Sequence, residues 1–114
     1  MNYTIRETFR IMAHDSTVTQ YILFIHDNVR DDTKPEEWAQ FFDEARQSGV
    51  FEGGSAVGKR SFIGSADDPK SSEHIVGYMR FDSDDRQKIL DLLKHHPVVM
   101  HGGTVELCEL PEGI

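Results

Sequence analysis

The sequence predicts a single α+β domain built around one antiparallel sheet. Strand-like stretches rich in aromatic and β-branched residues flank two helical stretches, and cap and stop signals mark the ends of each helix. The length of 114 residues is typical of one domain, and no change of composition along the chain indicates a second. We therefore expect residues 21–114 to form the domain, preceded by an N-terminal arm or short helix over residues 1–20.

The N-terminal residues 1–20 allow two interpretations. Ile5, Phe9 and Met12 recur at helical spacing, which is typical of a short amphipathic helix. A terminal arm that is only loosely attached to the domain is equally compatible with the same residues. The sequence leaves both interpretations open.

The first strand is predicted at residues 21–25, the run "YILFI". A stretch this short and apolar at successive positions is typical of a central strand that is covered on both faces. The polar, turn-forming residues His26, Asp27 and Asn28 then end the strand.

The first helix is predicted to begin at Thr33 and to end at Gly49. Thr33 and Glu36 have the spacing of a capping box, in which both side chains satisfy free amides at the helix start. Pro35 falls in the first turn, where its missing N–H costs little, and Gly49 suits the left-handed position after the last turn. The residues that mark one face at helical spacing are Trp38, Phe41, Phe42 and Ala45.

Two further strands are predicted between the helices, separated by the polar loop "SADDPKSSE". Gly53, Gly54 and Gly58 interrupt the first of them, so we expect a kinked or bulged strand. The second, "HIVGYMRF", should place alternate side chains on opposite faces of the sheet. One set is Ile75, Gly77, Met79 and Phe81, and the other is Val76, Tyr78 and Arg80.

The second helix is predicted between Ser83 and Pro97. Ser83 is a suitable N-cap, and Ile89, Leu92 and Leu93 would form the buried stripe. Pro97 prevents an easy continuation of the helix. A Gly-Gly turn then leads the chain into the last strand, "TVELCEL".

The resulting order, β-α-β-β-α-β, is that of the ferredoxin-like fold, with two helices on one face of a four-stranded antiparallel sheet. The other face also needs a cover, because the apolar side chains of the first strand point alternately to both sides. A second copy of the chain would supply that cover as a two-fold homodimer. Residues 1–20 are the alternative cover.

Charge and composition argue against several classes of partner. The formal net charge is −8, from 12 Lys and Arg against 20 Asp and Glu, so neither nucleic acid nor an anionic membrane is expected as a partner. No stretch resembles a membrane span or a leader segment, which predicts a cytoplasmic protein. Cys108 is the only cysteine, and it is expected to be buried in a strand and unreactive.

A longer pattern covers residues 21–112. In "EHIVGYMRFDSDDRQKILDLLKHHPVVMHGGTVELCELPE", residues 73–112, a glycine-containing strand leads to a helix, a His-Pro pair, a Gly-Gly turn and a final strand. Together with "YILFI" and "SGVFEGGS", this pattern resembles the YCII-related superfamily, particularly its DGPF-type branch. The resemblance implies a dimeric α+β barrel, similar in fold to muconolactone isomerases, with a small-ligand cavity between sheet and helices.

The chain departs from that family at the positions that carry its candidate chemistry. The DGPF tetrapeptide is absent, and the loop "GSADDPKSS" stands in its place. Better-understood relatives carry a candidate catalytic His in the first helix and an Asp before the Pro that closes the second. Those positions hold Trp38 and His96 here. A tryptophan cannot take up a proton, so any catalysis would need other groups.

Three histidines lie close together between His95 and His101. His96 can be interpreted as a helix-end cap, with His95 beside it in solvent, or as an acid/base group that points into the cavity. A zinc site built from the three is not expected, because they lack the i, i+4 spacing of ligands on one helix and Pro97 separates them by a turn. We therefore expect neither a metal nor another cofactor.

The remaining candidate residues also have structural interpretations. His26 either belongs to a turn or presents its ring to a pocket, and Asp27 cannot share a strand face with it. Trp38 is either part of the core or the wall of a ligand cavity. The candidate catalytic residues are thus His26 and His96, and the candidate ligand-binding residues are Trp38, Ser55, Tyr78, Met100 and His101.

These patterns predict a protein that binds a small organic ligand between sheet and helices. Acid/base chemistry of the isomerase or lyase type is a possible extension of that function. A non-catalytic dimeric module, either an accessory protein or a metabolite sensor, is the alternative. A cofactor-free monooxygenase of the dimeric α+β barrel group is a further alternative, and it would need a cavity able to hold an aromatic substrate.

Overall fold

The computed structural model describes residues 4–12, 18–65, 67 and 70–111. The helices are α1 (Ile5–Met12), α2 (Pro35–Ser48), α3 (Arg86–Leu93) and α4 (Pro97–Met100). The strands are β1 (Thr19–His26), β2 (Phe51–Ala56), β3 (Ile75–Ser83) and β4 (Val105–Leu110). Within the described residues, no helix is long and apolar enough to cross a membrane.

The four strands form one antiparallel sheet in the order β2-β3-β1-β4. β1 and β3 are the central strands, while β2 and β4 form the edges. α2 connects β1 to β2, and α3 and α4 connect β3 to β4. This arrangement confirms the predicted ferredoxin-like α+β fold, with helices packed against one face of the sheet.

The N-terminal part of the chain contains a helix, α1, in which the Thr4 hydroxyl accepts a hydrogen bond from the Glu7 amide at 3.1 Å. β1 begins at Thr19, so the last residues of the predicted arm belong to the sheet. The side chains of Phe9 and Met12, on which the helical interpretation was based, lie outside the described residues. Residues 66, 68 and 69 of the predicted polar loop also lie outside them.

The core lies between the helices and one face of the sheet. The side chains that form it alternate along β1 and β3, as the sequence predicts for central strands. Burying one large apolar side chain completely stabilises a fold by roughly 1.5–3 kcal/mol, so this layer is what holds helices and sheet together. Its main members are Tyr21, Leu23, Ile25, Met79 and Phe81 from the sheet, and Phe41, Ala45, Ile89 and Leu93 from α2 and α3.

α2 begins one residue later than the predicted capping box. Pro35 is the first helical residue, so Lys34 becomes the N-cap, and the Glu37 carboxylate accepts a hydrogen bond from the Lys34 amide at 2.7 Å. The predicted pairing of Thr33 with Glu36 is therefore wrong. The prediction for the other end is confirmed, since Gly49 ends α2 with a φ of 76°.

α3 also begins later than predicted. Ser83 is the last residue of β3, and Asp85 is the N-cap, with its carboxylate accepting a hydrogen bond from the Gln87 amide at 3.0 Å. Beyond α3 the chain does not pass directly into a turn. Pro97 starts a short helix, α4, because its fixed φ suits a first helical position, and His96 becomes the N-cap of that helix.

β2 is bulged near its start, as its glycines predict. Its pairing with β3 shifts register between Phe51 and Gly53, and Gly53 has a φ of 106°, which glycine adopts without steric strain. Gly54 approaches β3 so closely that a Cβ would collide with the carbonyl oxygen of Tyr78. The two strands therefore come together at a position where only glycine fits.

The opposite face of the sheet is half-buried and partly apolar. Ile22 and Phe24 lie on it, beside Tyr78 on one side and Cys108 on the other. The prediction that Cys108 is buried is wrong, since its side chain is only half-buried. Burial raises the pKa of its thiol, and the nearby Glu106 carboxylate raises it further. The apolar side chains of β1 thus point to both sides of the sheet, as the sequence predicts.

Candidate functional site

A cavity of about 580 Å³ lies between α2 and the inner face of β2 and β3. This volume is in the usual range for small-molecule sites, which is roughly 300–1,000 Å³. Its floor is formed by Gly54, Ala56 and Gly77, which contribute almost no side-chain volume. The other apolar residues of its wall are Ile25, Val29, Trp38, Phe42, Phe51, Val76, Met79 and Val98.

The roof of the cavity is one stripe of α2. Trp38, Phe42 and Arg46 follow each other at intervals of four residues, so they lie on the same side of the helix. The Trp38 and Phe42 rings are 5.9 Å apart, and the Phe42 ring is 6.0 Å from that of Phe51. The Trp38 indole is fixed in place because its Nε1 donates a hydrogen bond to the Thr33 hydroxyl at 2.9 Å. The cavity wall is therefore aromatic and held in a defined orientation.

Polar groups lie at the two ends of this apolar stripe. At the C-terminal end of α2, the Arg46 guanidinium lies 5.7 Å from the centre of the Phe42 ring and 3.5 Å from the Asp43 carboxylate. At the other end the wall includes Asp27 and Thr33. The cavity is thus apolar along its length, with a cation at one end and acidic and hydroxyl groups at the other.

His96, a candidate catalytic residue, is fully buried beside the cavity and is not part of its wall. Its ring packs edge-on against the rings of Trp38 and Phe41, with distances between ring centres of 5.0 Å and 4.7 Å. Nδ1 accepts a hydrogen bond from the Val98 amide at 3.2 Å, and Nε2 has no hydrogen-bond partner among the described residues. Burial lowers the pKa of His96 to about 4, so the imidazole is neutral near pH 7.

His26, the other candidate catalytic residue, belongs to the cavity wall, but its imidazole is engaged elsewhere. Its Nε2 lies 2.9 Å from the Glu106 carboxylate of β4. Glu106 pairs with Phe24 in the sheet, so this contact is made on the face that α2 and α3 leave uncovered. Sequence reasoning missed Glu106, since only the pairing of β1 with β4 brings it next to His26.

The remaining histidines of the cluster point to different partners. His101 is nearly buried, with Nε2 at 2.8 Å from Glu37 and Nδ1 at 3.1 Å from Asp31. The hydrogen bond to Glu37, followed by that to Asp31, raises the pKa of His101. His95 contacts the Glu44 carboxylate at 3.1 Å. In the part of the chain that the structure describes, no group of three potential ligands is placed to hold a metal ion.

The predicted ligand-binding residues divide into two groups. Trp38, Ser55 and Tyr78 are among the residues that line the cavity. Ser55 pairs with Tyr78 and Tyr78 with Phe24, so the side chains of Ser55 and Tyr78 belong to the opposite face of the sheet. Met100 and His101 do not line the cavity, and the structure does not bring them to it. Met100 instead lines a smaller groove of about 390 Å³ together with Glu37, Gln40, Phe41, Glu44 and His95.

The chain is similar in structure to a protein of low sequence identity. No protein-family model matches the chain, and no curated protein sequence matches it. A solved structure from Bacteroides fragilis NCTC 9343, described as a dimeric protein of unknown function and ferredoxin-like fold, is similar with a TM-score of 0.38 and 11% identity. The match covers 86% of this chain and 99% of the other.

We predict that His96 makes the protein sensitive to mild acid. The pKa of His96 is about 4 in the folded chain against 6.5 for an ordinary histidine. Between those pH values the unfolded chain binds a proton that the folded chain does not, so stability falls as pH falls. From pH 6.5 to 4.5 the free energy of unfolding should drop by about 2 kcal/mol on this account, measured by urea denaturation.

The variant for this test is His96→Asn, which retains an oxygen acceptor for the Val98 amide and cannot titrate. The difference in free energy of unfolding between wild type and variant should change by the same amount over this pH range. His95→Asn, at the exposed neighbouring position, is the matched control and should follow the wild type. An equal pH dependence in wild type and His96→Asn would show that His96 is not held neutral.

Proposed function

We propose that this protein binds a small, mainly apolar organic molecule in the cavity beneath α2. The observation that carries the proposal is the combination of an aromatic roof with a floor of glycine and alanine. Protein interiors are close-packed, so an apolar space of this size is an unusual feature of a small domain. A flat molecule could lie between the Trp38 and Phe42 rings and the glycine-rich strands.

We propose binding in preference to catalysis, because the two candidate catalytic imidazoles do not converge on this space. His96 is packed against aromatic rings, and its pKa is lowered well away from neutral pH. The His26 imidazole contacts Glu106 on the opposite face of the sheet. A binding or sensing module therefore fits the geometry better than an isomerase, a lyase or a cofactor-free monooxygenase.

We also propose that the chain forms a homodimer through the uncovered face of the sheet. Ile22 and Phe24 are large apolar residues on that face, and a second sheet packed on it would remove them from water. Membership of the YCII-related superfamily and a cytoplasmic location belong to this proposal, supported by the sequence pattern and the single cysteine.

Phe24→Lys should convert the dimer into a folded monomer, because a charged ammonium group cannot be buried without a partner in the interface. Sedimentation equilibrium gives the mass, and circular dichroism checks the fold. The matched control is Ala39→Lys, at an exposed position of α2 that lies outside the cavity wall. A wild-type protein that sediments as a monomer would refute the homodimer.

The binding proposal is tested with N-phenyl-1-naphthylamine, an uncharged aromatic probe whose fluorescence rises in apolar surroundings. The chain has one tryptophan, and it lies in the cavity wall, so energy transfer from Trp38 reports binding at this place. We expect saturable binding of one probe per chain. Ala56→Phe, which fills the floor beneath α2, should weaken binding at least about tenfold, since the probe and the new ring compete for one space.

Ala39→Phe adds the same ring at an exposed position of α2 and should bind the probe as the wild type does. Thermal unfolding of both variants verifies that they are folded. Unchanged binding in Ala56→Phe would place the probe elsewhere, and the absence of saturable binding by the wild type would refute the proposal.

A further inference from the structure

We infer that the ligand of this cavity carries an anionic group, such as a carboxylate or sulfonate, at the end where Arg46 lies. This inference rests on the proposed function and specifies the class of ligand. Among the described residues that line the cavity, Arg46 is the only lysine or arginine. The chain has a formal net charge of −8, so a positive charge at the end of this apolar stripe is opposite in sign to the charge of the molecule as a whole.

Arg46 is available for a ligand because its present partner holds it weakly. The Asp43 carboxylate is 3.5 Å away, and the side chains of Arg46 and Asp43 are 65% and 71% exposed. An exposed ion pair of this kind contributes little to stability. The guanidinium has more donors than one such contact uses, so a ligand anion could bind it without unfavourable rearrangement of the helix.

The geometry at Phe42 adds the aromatic part of the inference. The Arg46 guanidinium lies 5.7 Å from the centre of the Phe42 ring, and Phe42 in turn neighbours Trp38 on the cavity roof. An aromatic acid could therefore place its ring along Phe42 and Trp38 while its anionic group accepts hydrogen bonds from Arg46. One ligand would thus contact both the aromatic rings and the guanidinium of the cavity wall.

The opposite end of the cavity would set the orientation of such a ligand. Asp27 belongs to the wall there, and its carboxylate would repel an anionic group. The anionic end of the ligand is thus favoured near Arg46 and disfavoured near Asp27.

The test compares two probes that differ by one charged group. N-phenyl-1-naphthylamine is uncharged, and 1-anilinonaphthalene-8-sulfonate has the same aromatic body with a sulfonate added. Arg46→Met keeps an unbranched side chain over Phe42 and removes the charge. We expect it to weaken binding of the sulfonate probe about five- to tenfold, with the uncharged probe unchanged within about twofold.

The matched control is Arg86→Met, at an exposed position of α3 outside the cavity wall. It changes the net charge by the same amount, so it measures the effect of overall charge on the sulfonate probe. Arg46→Lys retains a cation and should recover part of the lost affinity. Added salt should weaken binding of the sulfonate probe only in proteins with a positive charge at position 46.

The outcomes separate the two proposals. If the uncharged probe binds and the sulfonate probe responds equally to Arg46→Met and Arg86→Met, or to neither, the anionic ligand is refuted and the binding cavity stands. If neither probe binds the wild-type protein saturably, the binding function fails and this inference fails with it. If Arg46→Met weakens binding of the sulfonate probe alone, both the binding cavity and the anionic ligand are supported.

Discussion

The architecture of this protein depends on the unequal filling of the inner face of its sheet. Along β1 and the second half of β3, large side chains such as Leu23 and Phe81 are completely buried against the helices. Along β2 and the first half of β3, Gly54, Ala56 and Gly77 leave that layer nearly empty. The same helix, α2, therefore closes a solid core on one side and roofs an open apolar cavity on the other. The candidate site is a consequence of this difference, and the aromatic stripe of α2 provides its wall.

The histidine-rich segment has a structural explanation that follows from Pro97. The proline cannot continue α3, and it begins a new helical turn whose N-cap is His96. That turn buries the His96 ring against Trp38 and carries His101 to the start of α2, where Glu37 and Asp31 bind it. Three neighbouring histidines thus have three different environments. As a result, desolvation lowers the pKa of His96, whereas hydrogen bonding, mainly to the Glu37 carboxylate, raises the pKa of His101.

Local patterns in the sequence were sufficient to predict the order of elements and the alternation of β1 and β3, because both depend on residues close in the chain. The position of Gly49 at the end of α2 follows from the same kind of information. The helix starts were misplaced by one or two residues, since Lys34 and Asp85 are the N-caps where Thr33 and Ser83 were expected.

The site was predictable only in part. Trp38 could be identified as a cavity-wall candidate because its helical face was visible in the sequence, and Arg46 continues that face. The contact of His26 with Glu106 joins residues 80 positions apart, and that of His101 with Glu37 joins residues 64 apart. Such pairs depend on strand register and on the packing of helix ends. No pattern local to either residue indicates them.

The central claim is that the open space beneath α2 is a binding site, and the most direct measurement is an NMR titration of the ¹⁵N-labelled protein with N-phenyl-1-naphthylamine. The account predicts saturable shifts at the Trp38 indole and at the amides of Gly53, Gly54 and Gly77, which surround the cavity. Shifts confined to the opposite face, at Ile22, Phe24 and Cys108, would contradict it. So would a spectrum in which the Trp38 indole does not respond at saturating probe.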